Sequence, residues 1–237
     1  MLNKVKKTIA DNNMFSAGDK VLVALSGGCD SVCLCLVLKE LNIDFAVAHL
    51  NHSIRTEADS DEEFCREFAK QLNVDFYTEK KDIPKIAKEE GVSQEVAGRN
   101  ARYDFFNKLC KEKNFSKIAV AHNLNDNAET VILNLLRGSG LKGLCGIPKT
   151  RDKIIRPLID VSRSEIEEFV KNKGQEFVTD KTNFSNDYTR NKIRNNVIDK
   201  LIEINPNALS NISKTTEILS KDDLFFDEAS EKYVYFD

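Results

Sequence analysis

Residues 21–32 read VLVALSGGCDSV and change character twice. Val21 to Leu25 is an unbroken apolar run with the length of a strand covered on both faces. The chain then turns on Gly27 and Gly28. From Asp30 onward, VCLCLVLKEL has the length and leucine content of a helix. Strand, glycine turn and helix in that order aim backbone N–H groups and a helix N-terminus at one point. Such a point favours a phosphate.

The chain of 237 residues has room for one large domain, or one domain with a small appendage, and for a real core. A formal charge of -3, with 31% charged residues of both signs, describes an ordinary soluble surface. Any polyanion site must therefore be local. No stretch approaches the ~20 apolar residues of a membrane span, and MLNKVKKTIADNN lacks the apolar core and cleavage site of a signal peptide. A cytoplasmic address with no membrane partner is expected. The six cysteines, at 29, 33, 35, 65, 110 and 145, contain no C-x-x-C pair and do not have the spacing of a zinc or iron–sulfur framework. They read as reduced, buried thiols acting as small hydrophobes. Cys29 stands apart, because the mouth of a helix N-terminus is a place where a thiol's pKa falls.

Outward from the first unit, strands and helices alternate. DFAVAHLNH holds a strand at 44–49, and DSDEEFCREFAKQLN a helix with Phe64, Phe68 and Leu72 at fourfold spacing. VDFYTEKKD is the next strand. PKIAKEEG and SQEVAGRNARYDFFNKLCKEK are helical, with Ser93 and Glu95 as a start signal. A strand at 117–122 leads into NDNAETVILNLLRG, which Gly138 stops. Right-handed crossovers then give an α/β fold, a twisted parallel sheet with helices on both faces and a ligand site at the strands' C-terminal ends. From about 151 the pattern loosens into DKIIRPLI, helix SRSEIEEFVKNKG, the polar loop KTNFSND, a basic helical stretch and a helical extension. Residues 1–215 are expected to form the catalytic domain, and 216–237 a helical linker at the start of a further C-terminal region.

SGGCDS has neither the spacing and lysine of a Walker loop nor G-x-G-x-x-G. It offers two hydroxyls, Ser26 and Ser31, a run of backbone donors, and Asp30. A carboxylate beside a phosphate cradle repels the anion unless a cation lies between, so Asp30 implies Mg²⁺. The same residues also suit a tight turn with Asp30 or Ser31 capping the helix. Asp126 and Glu129, at i and i+3, share one helix face, where the helix dipole alone also favours acids. Arg99 and Arg102 have the same spacing and equally suit a solvated basic face. TRNKIR at 189–194 sets Arg190, Lys192 and Arg194 close together, or simply starts a helix with scattered charge. His49 and His52, with no third ligand spaced for a metal, read as nucleotide-proximal or structural.

The strand-SGGxDS-helix unit resembles the pyrophosphate loop of the ATP pyrophosphatase (PP-loop) superfamily. AHLNHSIR at 48–55, QEVAGRNARYDFF at 94–106, AHNLNDNAETVILNLLRGSGLKGLCGIP at 121–148, RPLIDVSRSEI at 156–166 and DKTNFSNDYTRNKIRNNVI at 180–198 are similar, in order, to tRNA(Ile)-lysidine synthetases. The resemblance covers nearly the whole chain and corresponds to their N-terminal catalytic domain. It implies an adenine nucleotide alpha hydrolase-like fold and a ligase that adenylates a cytidine with Mg-ATP and then joins lysine to it. The partners implied are an isoleucine tRNA with a CAU anticodon and free L-lysine, with a homodimer left open. Ser26, Gly27, Gly28, Cys29, Asp30, Ser31, His52 and Arg102 are then expected to bind ATP, with Asp30 holding Mg²⁺ through the phosphates. Asp126, Glu129 and Arg190 would receive lysine, and Lys192 and Arg194 would meet the tRNA backbone. Asp30, Arg102, Asp126 and Glu129 are the expected catalytic set. Two rivals remain: a PP-loop tRNA thiolase, disfavoured by the missing C-x-x-C, and an ATP-sensing module without chemistry.

Overall fold

The apolar run ahead of the glycine turn is a central strand of a six-stranded sheet. The computed structural model describes residues 1–53, 58–179 and 189–233, with side chains to residue 230. Ile54 and Arg55 of AHLNHSIR, the polar loop KTNFSND and the last four residues lie outside the described residues. The chain divides into two compact units: Met1–Ala121 with Thr150–Pro157 and Ser164–Thr179, and His122–Lys149 with Leu158–Arg163 and Asp180–Asp237.

In chain order the elements begin with α1 (Leu2–Asp11), β1 (Val21–Ala24), α2 (Cys29–Glu40), β2 (Phe45–Asn51), α3 (Ala58–Gln71) and β3 (Phe76–Lys80). They continue with α4 (Ile83–Glu90), α5 (Gln94–Lys113), β4 (Lys117–Ala119), α6 (Leu124–Leu136), α7 (Leu141–Leu144), β5 (Thr150–Arg151), β6 (Ile154–Ile155) and α8 (Arg163–Asn172). Last come α9 (Thr189–Ile193), one π-helical segment (Arg194–Ile198), α10 (Asp199–Ile204) and α11 (Ala208–Tyr233).

In the first unit the strand order is β3-β2-β1-β4-β6-β5. All neighbours run parallel except β5, which pairs antiparallel with β6. The chain builds from β1 to β3 in one direction, then places β4 on the other side of β1. That reversal opens a crevice at the C-terminal ends of β1 and β4, where ligands bind in sheets of this kind. Alternation along the strands puts Leu22, Ala46, Ala48, Leu50 and Ile118 against Ala97, Ala101, Phe105, Phe106 and Leu109 of α5. Val21, Val23 and Val47 point to the opposite face and are also buried. Both faces of β1 are covered, which is why its sequence reads as an unbroken apolar run.

Local signals set the helix ends. Ser93 accepts a hydrogen bond from the Val96 N–H to start α5, and Asn114 closes that helix in the left-handed region at φ 59°. Gly138, at φ 72°, follows the end of α6. Two expectations are corrected. The strand at 117–122 stops at Ala119, because its partner β6 is only two residues long, so His122 lies past the strand. On α3 the buried residues are Cys65, Phe68 and Ala69, while Phe64 is only partly buried and stacks on Phe68 at 6.2 Å.

The second unit packs Leu124 and Ala128 of α6 against Ile193, Ile198 and Leu209. Asn127 ties it together, since its Oδ1 accepts from the Ile147 N–H at 2.8 Å and its Nδ2 donates to Thr216 at 3.4 Å. Gly146, at φ 69°, presses so closely on Asn127 Oδ1 that a Cβ has no room. Lys149 bridges Asp160 and Glu217 at 2.8 and 2.7 Å. The helix α11 runs without a break through residues 215 and 216. Among the described residues no helix is long and apolar enough to cross a membrane.

Phe106 is fully enclosed in the core between α5 and the sheet. Phe106→Ala is expected to cost ~3–5 kcal/mol of unfolding free energy through lost burial and a residual cavity. Chemical denaturation measures this directly.

Candidate active site

The glycine turn is held by its own hydroxyls. Ser31 Oγ donates to the Gly28 carbonyl at 2.9 Å and accepts from the Ser26 N–H at 3.2 Å. Ser26 Oγ lies 3.1 Å from Ser31 Oγ and 3.4 Å from the Gly28 nitrogen. Gly27 adopts φ 85°, in the left-handed region. A Cβ there would sit 3.2 Å from Val178 Cγ2 and 3.3 Å from Cys65 Sγ. The Val178 N–H in turn donates to the Gly27 carbonyl at 2.9 Å, fixing the turn from below. Gly28 is the N-cap of α2, and no side chain caps that helix. The capping alternative is therefore not what Ser31 does: its hydroxyl braces the turn.

The first unit also holds three further residues singled out in the sequence. His49, buried near the end of β2, directs Nδ1 to the Leu25 carbonyl at 3.0 Å. A carbonyl only accepts, so Nδ1 carries the proton, and Cys65 Sγ lies 3.4 Å away. Burial lowers the His49 pKa, with Arg102 acting the same way and the Leu25 carbonyl, Glu62 and Asp61 opposing. His52 packs its ring on Gly98 of α5, where a Cβ would meet it at 3.0 Å. Arg102 is exposed to solvent, yet desolvation lowers its pKa. A guanidinium remains charged there.

The second unit assembles the acid pair. Asn123 and Asp126 form a capping box at the start of α6: the Asp126 N–H donates to Asn123 Oδ1 at 3.0 Å, and the Asn123 N–H to Asp126 Oδ2 at 3.1 Å. Glu129, one turn on, is buried. Arg194 reaches Glu129 through Nε at 2.7 Å and Nη2 at 2.9 Å, and Asp126 Oδ1 at 3.1 Å. Arg190 adds Glu129 Oε2 at 2.9 Å and Asp126 Oδ1 at 3.2 Å. Two carboxylates and two guanidinium groups thus balance. Arg190 keeps 36% of its side chain exposed and Arg194 19%, so Arg190 is the more accessible of the two. An ionised carboxylate offers about four acceptor positions. These bonds leave one position at Glu129 Oε1 and one at Asp126 Oδ2. Arg194, expected at a tRNA phosphate, instead holds the carboxylates together with Arg190, and Lys192 is exposed.

Burial pushes the thiols of Cys33 and Cys35 far up and that of Cys65 up to about 12, as expected for reduced cysteines in a core. Among the described residues no three His, Cys, Asp or Glu side chains are grouped to hold a metal. The donors near the turn suit a different arrangement. Asp30 in the first turn of α2, with phosphate oxygens supplied by a nucleotide, is the sparse set magnesium accepts, since it usually takes one or two carboxylates and keeps several waters.

A glycine turn braced by hydroxyls, at the switch point of a doubly wound parallel sheet, defines a nucleotide-binding α/β protein. The family described as the PP-loop domain matches residues 1–201, and the chain belongs to that family. Membership implies ATP as the nucleotide. The chain is 43% identical over 242 residues to a tRNA(Ile)-lysidine synthase of Clostridium tetani, covering 99% of this chain and 52% of that protein. The enzyme of the same name from Porphyromonas gingivalis is 39% identical over 236 residues, covering 98% of this chain and 52% of that protein. The chain thus spans about half the length of the curated relatives it matches. Among solved structures, a U34-tRNA thiolase from Methanococcus maripaludis with its 4Fe-4S cluster superposes with a TM-score of 0.77 at 20% identity, covering 92% of this chain and 78% of that one. An NH3-dependent NAD synthetase from Campylobacter jejuni gives 0.52 at 17% identity, covering 93% and 96%. At these identities the structural likeness shows the fold alone.

Gly27→Ala places a Cβ in left-handed backbone against Val178 and Cys65. It is expected to cost ~1–3 kcal/mol of stability and to weaken ATP binding at least tenfold, read by thermal melting and calorimetric titration. His49 supplies a pH test. Its folded pKa lies below the unfolded value, so its contribution to stability is whole above ~6.5 and is lost as pH falls toward the folded pKa. Melting temperature should therefore drop between pH ~7.5 and ~5.5 in the native protein and drop less in His49→Gln.

Proposed function

We propose that the protein ligates lysine to C2 of the first anticodon cytidine of a CAU-anticodon isoleucine tRNA, consuming ATP and releasing AMP and pyrophosphate. The observation that carries this reading is the buried Asp126–Glu129 pair, because a cationic amine is the ligand such a pair suits and a nucleotide loop alone has no need of it. The likeness to lysidine synthases over 98–99% of the chain supports it.

The C2 oxygen of cytidine is a poor leaving group. Its attack on the α-phosphorus of ATP forms an O–P bond and expels pyrophosphate, which converts that oxygen into part of a good leaving group, AMP. Ser26 to Ser31 cradle the phosphates with backbone N–H groups and the N-terminus of α2. His52 borders the nucleotide. Arg102 stabilises the charge that builds on the departing pyrophosphate. Asp30 would hold Mg²⁺, which would supply neutralisation of part of the phosphate charge.

Lysine then attacks C2 and AMP leaves. Its side-chain ammonium has a pKa near ~10.4 in water and must lose a proton first. Asp126 Oδ2 and Glu129 Oε1 offer the open acceptor positions for it. Arg190, the more exposed guanidinium, moves off to meet the lysine carboxylate, while Arg194 stays on the carboxylates. One cation thus replaces another and the buried carboxylates are never left without a counter-charge. Lys192 faces the tRNA backbone.

Nucleoside mass spectrometry of the tRNA after incubation with the protein, Mg-ATP and isotope-labelled lysine tests the reading. A cytidine carrying the label is expected. An unmodified cytidine, with the tRNA shown to be bound, overturns it. Asp30→Ala is expected to suppress pyrophosphate release by at least a hundredfold even at saturating ATP, whereas an ATP-sensing module would lose affinity alone.

A further inference from the structure

We infer that Gly98 is a positioning residue for nucleotide binding: by carrying no side chain it lets the His52 imidazole lie directly against α5, on the helix face that also carries Arg102. This role rests on the proposed place of His52 beside ATP, and it extends that site to a residue with no side chain to offer the ligand.

Glycine is a costly choice at this point. Gly98 is the only glycine among the 20 residues of α5 and lies in the second turn of the helix. There it weakens the helix relative to alanine, because a glycine backbone gives up more conformational freedom on folding. Its backbone is helical, with no positive φ that would call for glycine. On helical grounds alone alanine is the better residue.

A histidine excludes it. A Cβ at Gly98 would meet His52 Cε1 and Nδ1, both at 3.0 Å, and Ile83 Cγ2 at 3.6 Å. The contact with Ile83 is an ordinary van der Waals one, so the apolar core has room for a methyl group here, as it has at Ala97 and Ala101 of the same helix. The imidazole leaves none. Two neighbouring ring atoms at one distance show that the ring turns an edge to the helix backbone. The chain that carries the ring is held in place, since the Asn51 carbonyl accepts from the Lys81 N–H at 2.9 Å and the His52 carbonyl from the Ile83 N–H at 3.2 Å. Both bonds tie it to the start of α4, which packs on α5.

The position along α5 gives this close approach a use. Gly98 and Arg102 are spaced i, i+4 and share a face, so an imidazole and a guanidinium reach the nucleotide from adjacent turns of one helix. An alanine methyl would push the ring outward by a few tenths of an ångström. Groups that converge on one ligand lose affinity through displacements of that order. Were the glycine there for helix–sheet packing alone, core atoms would be its nearest neighbours, and they are not.

Calorimetric titration with Mg-ATP of the native protein, Gly98→Ala, His52→Ala and the double variant tests this as a cycle. Gly98→Ala is expected to weaken ATP binding about fivefold and to have no further effect once His52 is alanine. In that second background it should raise the melting temperature by about 2 °C, the gain from replacing a helical glycine, which also reports an intact fold. The chain has three histidines, so the imidazole C–H resonance of His52 is identified by its loss in His52→Ala. ATP should shift that resonance in the native protein and shift it less in Gly98→Ala. Independent losses from the two substitutions overturn the assignment, as does an ATP affinity that Gly98→Ala leaves within about twofold of native or that His52→Ala leaves unchanged. If the two residues are coupled in this way while no labelled lysine reaches the tRNA, the role of Gly98 stands and the proposed reaction falls.

Discussion

The chain leaves β1 through a turn that needs a residue without a side chain. Gly27 sits at φ 85° with Val178 and Cys65 packed where a Cβ would go, and its carbonyl is bonded to the Val178 N–H. Ser31 Oγ bridges the Ser26 N–H and the Gly28 carbonyl, so strand and helix are joined by a short hydroxyl-braced loop. The α2 dipole and the loop amides then converge because of that joint. His49 reaches the same joint from β2 through the Leu25 carbonyl. Its imidazole stays neutral near pH 7 because burial opposes protonation.

The second constraint is electrostatic. Glu129 is almost wholly buried, and two guanidinium groups offset the desolvation of its charge. Removing one partner from a buried pair is strongly destabilising, by ~3–5 kcal/mol. Cation exchange avoids that cost, and the proposed chemistry needs such an exchange: an ammonium takes its place on carboxylates that already hold guanidinium groups. The difference in exposure between Arg190 and Arg194 says which of them can leave. Arg190 and Arg194 are spaced at i, i+4, just where α9 passes into a π-helical segment, and such segments recur at functional sites.

Much of this was legible from local signals. The apolar run of β1, the two glycines and the serine at 93 each act within a few residues of themselves, and each behaves in the structure as its chemistry requires. The spacing of Asp126 and Glu129 put both on one helix face for the same reason. Long-range partners were hidden. Nothing near Gly27 in sequence announces Val178, more than a hundred residues away. The basic residues clustered at 189–194 look alike in sequence, and nothing in their composition says which of them meets Glu129. The i, i+4 spacing of Arg190 and Arg194 is the signal that those two share a face. Arg156 also left a trace, since an arginine inside IIRPLI interrupts an apolar run and asks for a buried partner, which Tyr103 provides.

In the proposed reaction, activation of the base at the glycine turn and delivery of the amine are separate chemical steps. The most direct test is to incubate the protein with the proposed isoleucine tRNA and ATP labelled at the α-phosphate, without lysine, and to follow the label. Label that appears on the tRNA and leaves as AMP when lysine is added is the result expected. Label that never reaches the tRNA, or that stays on it after lysine arrives, would contradict the account.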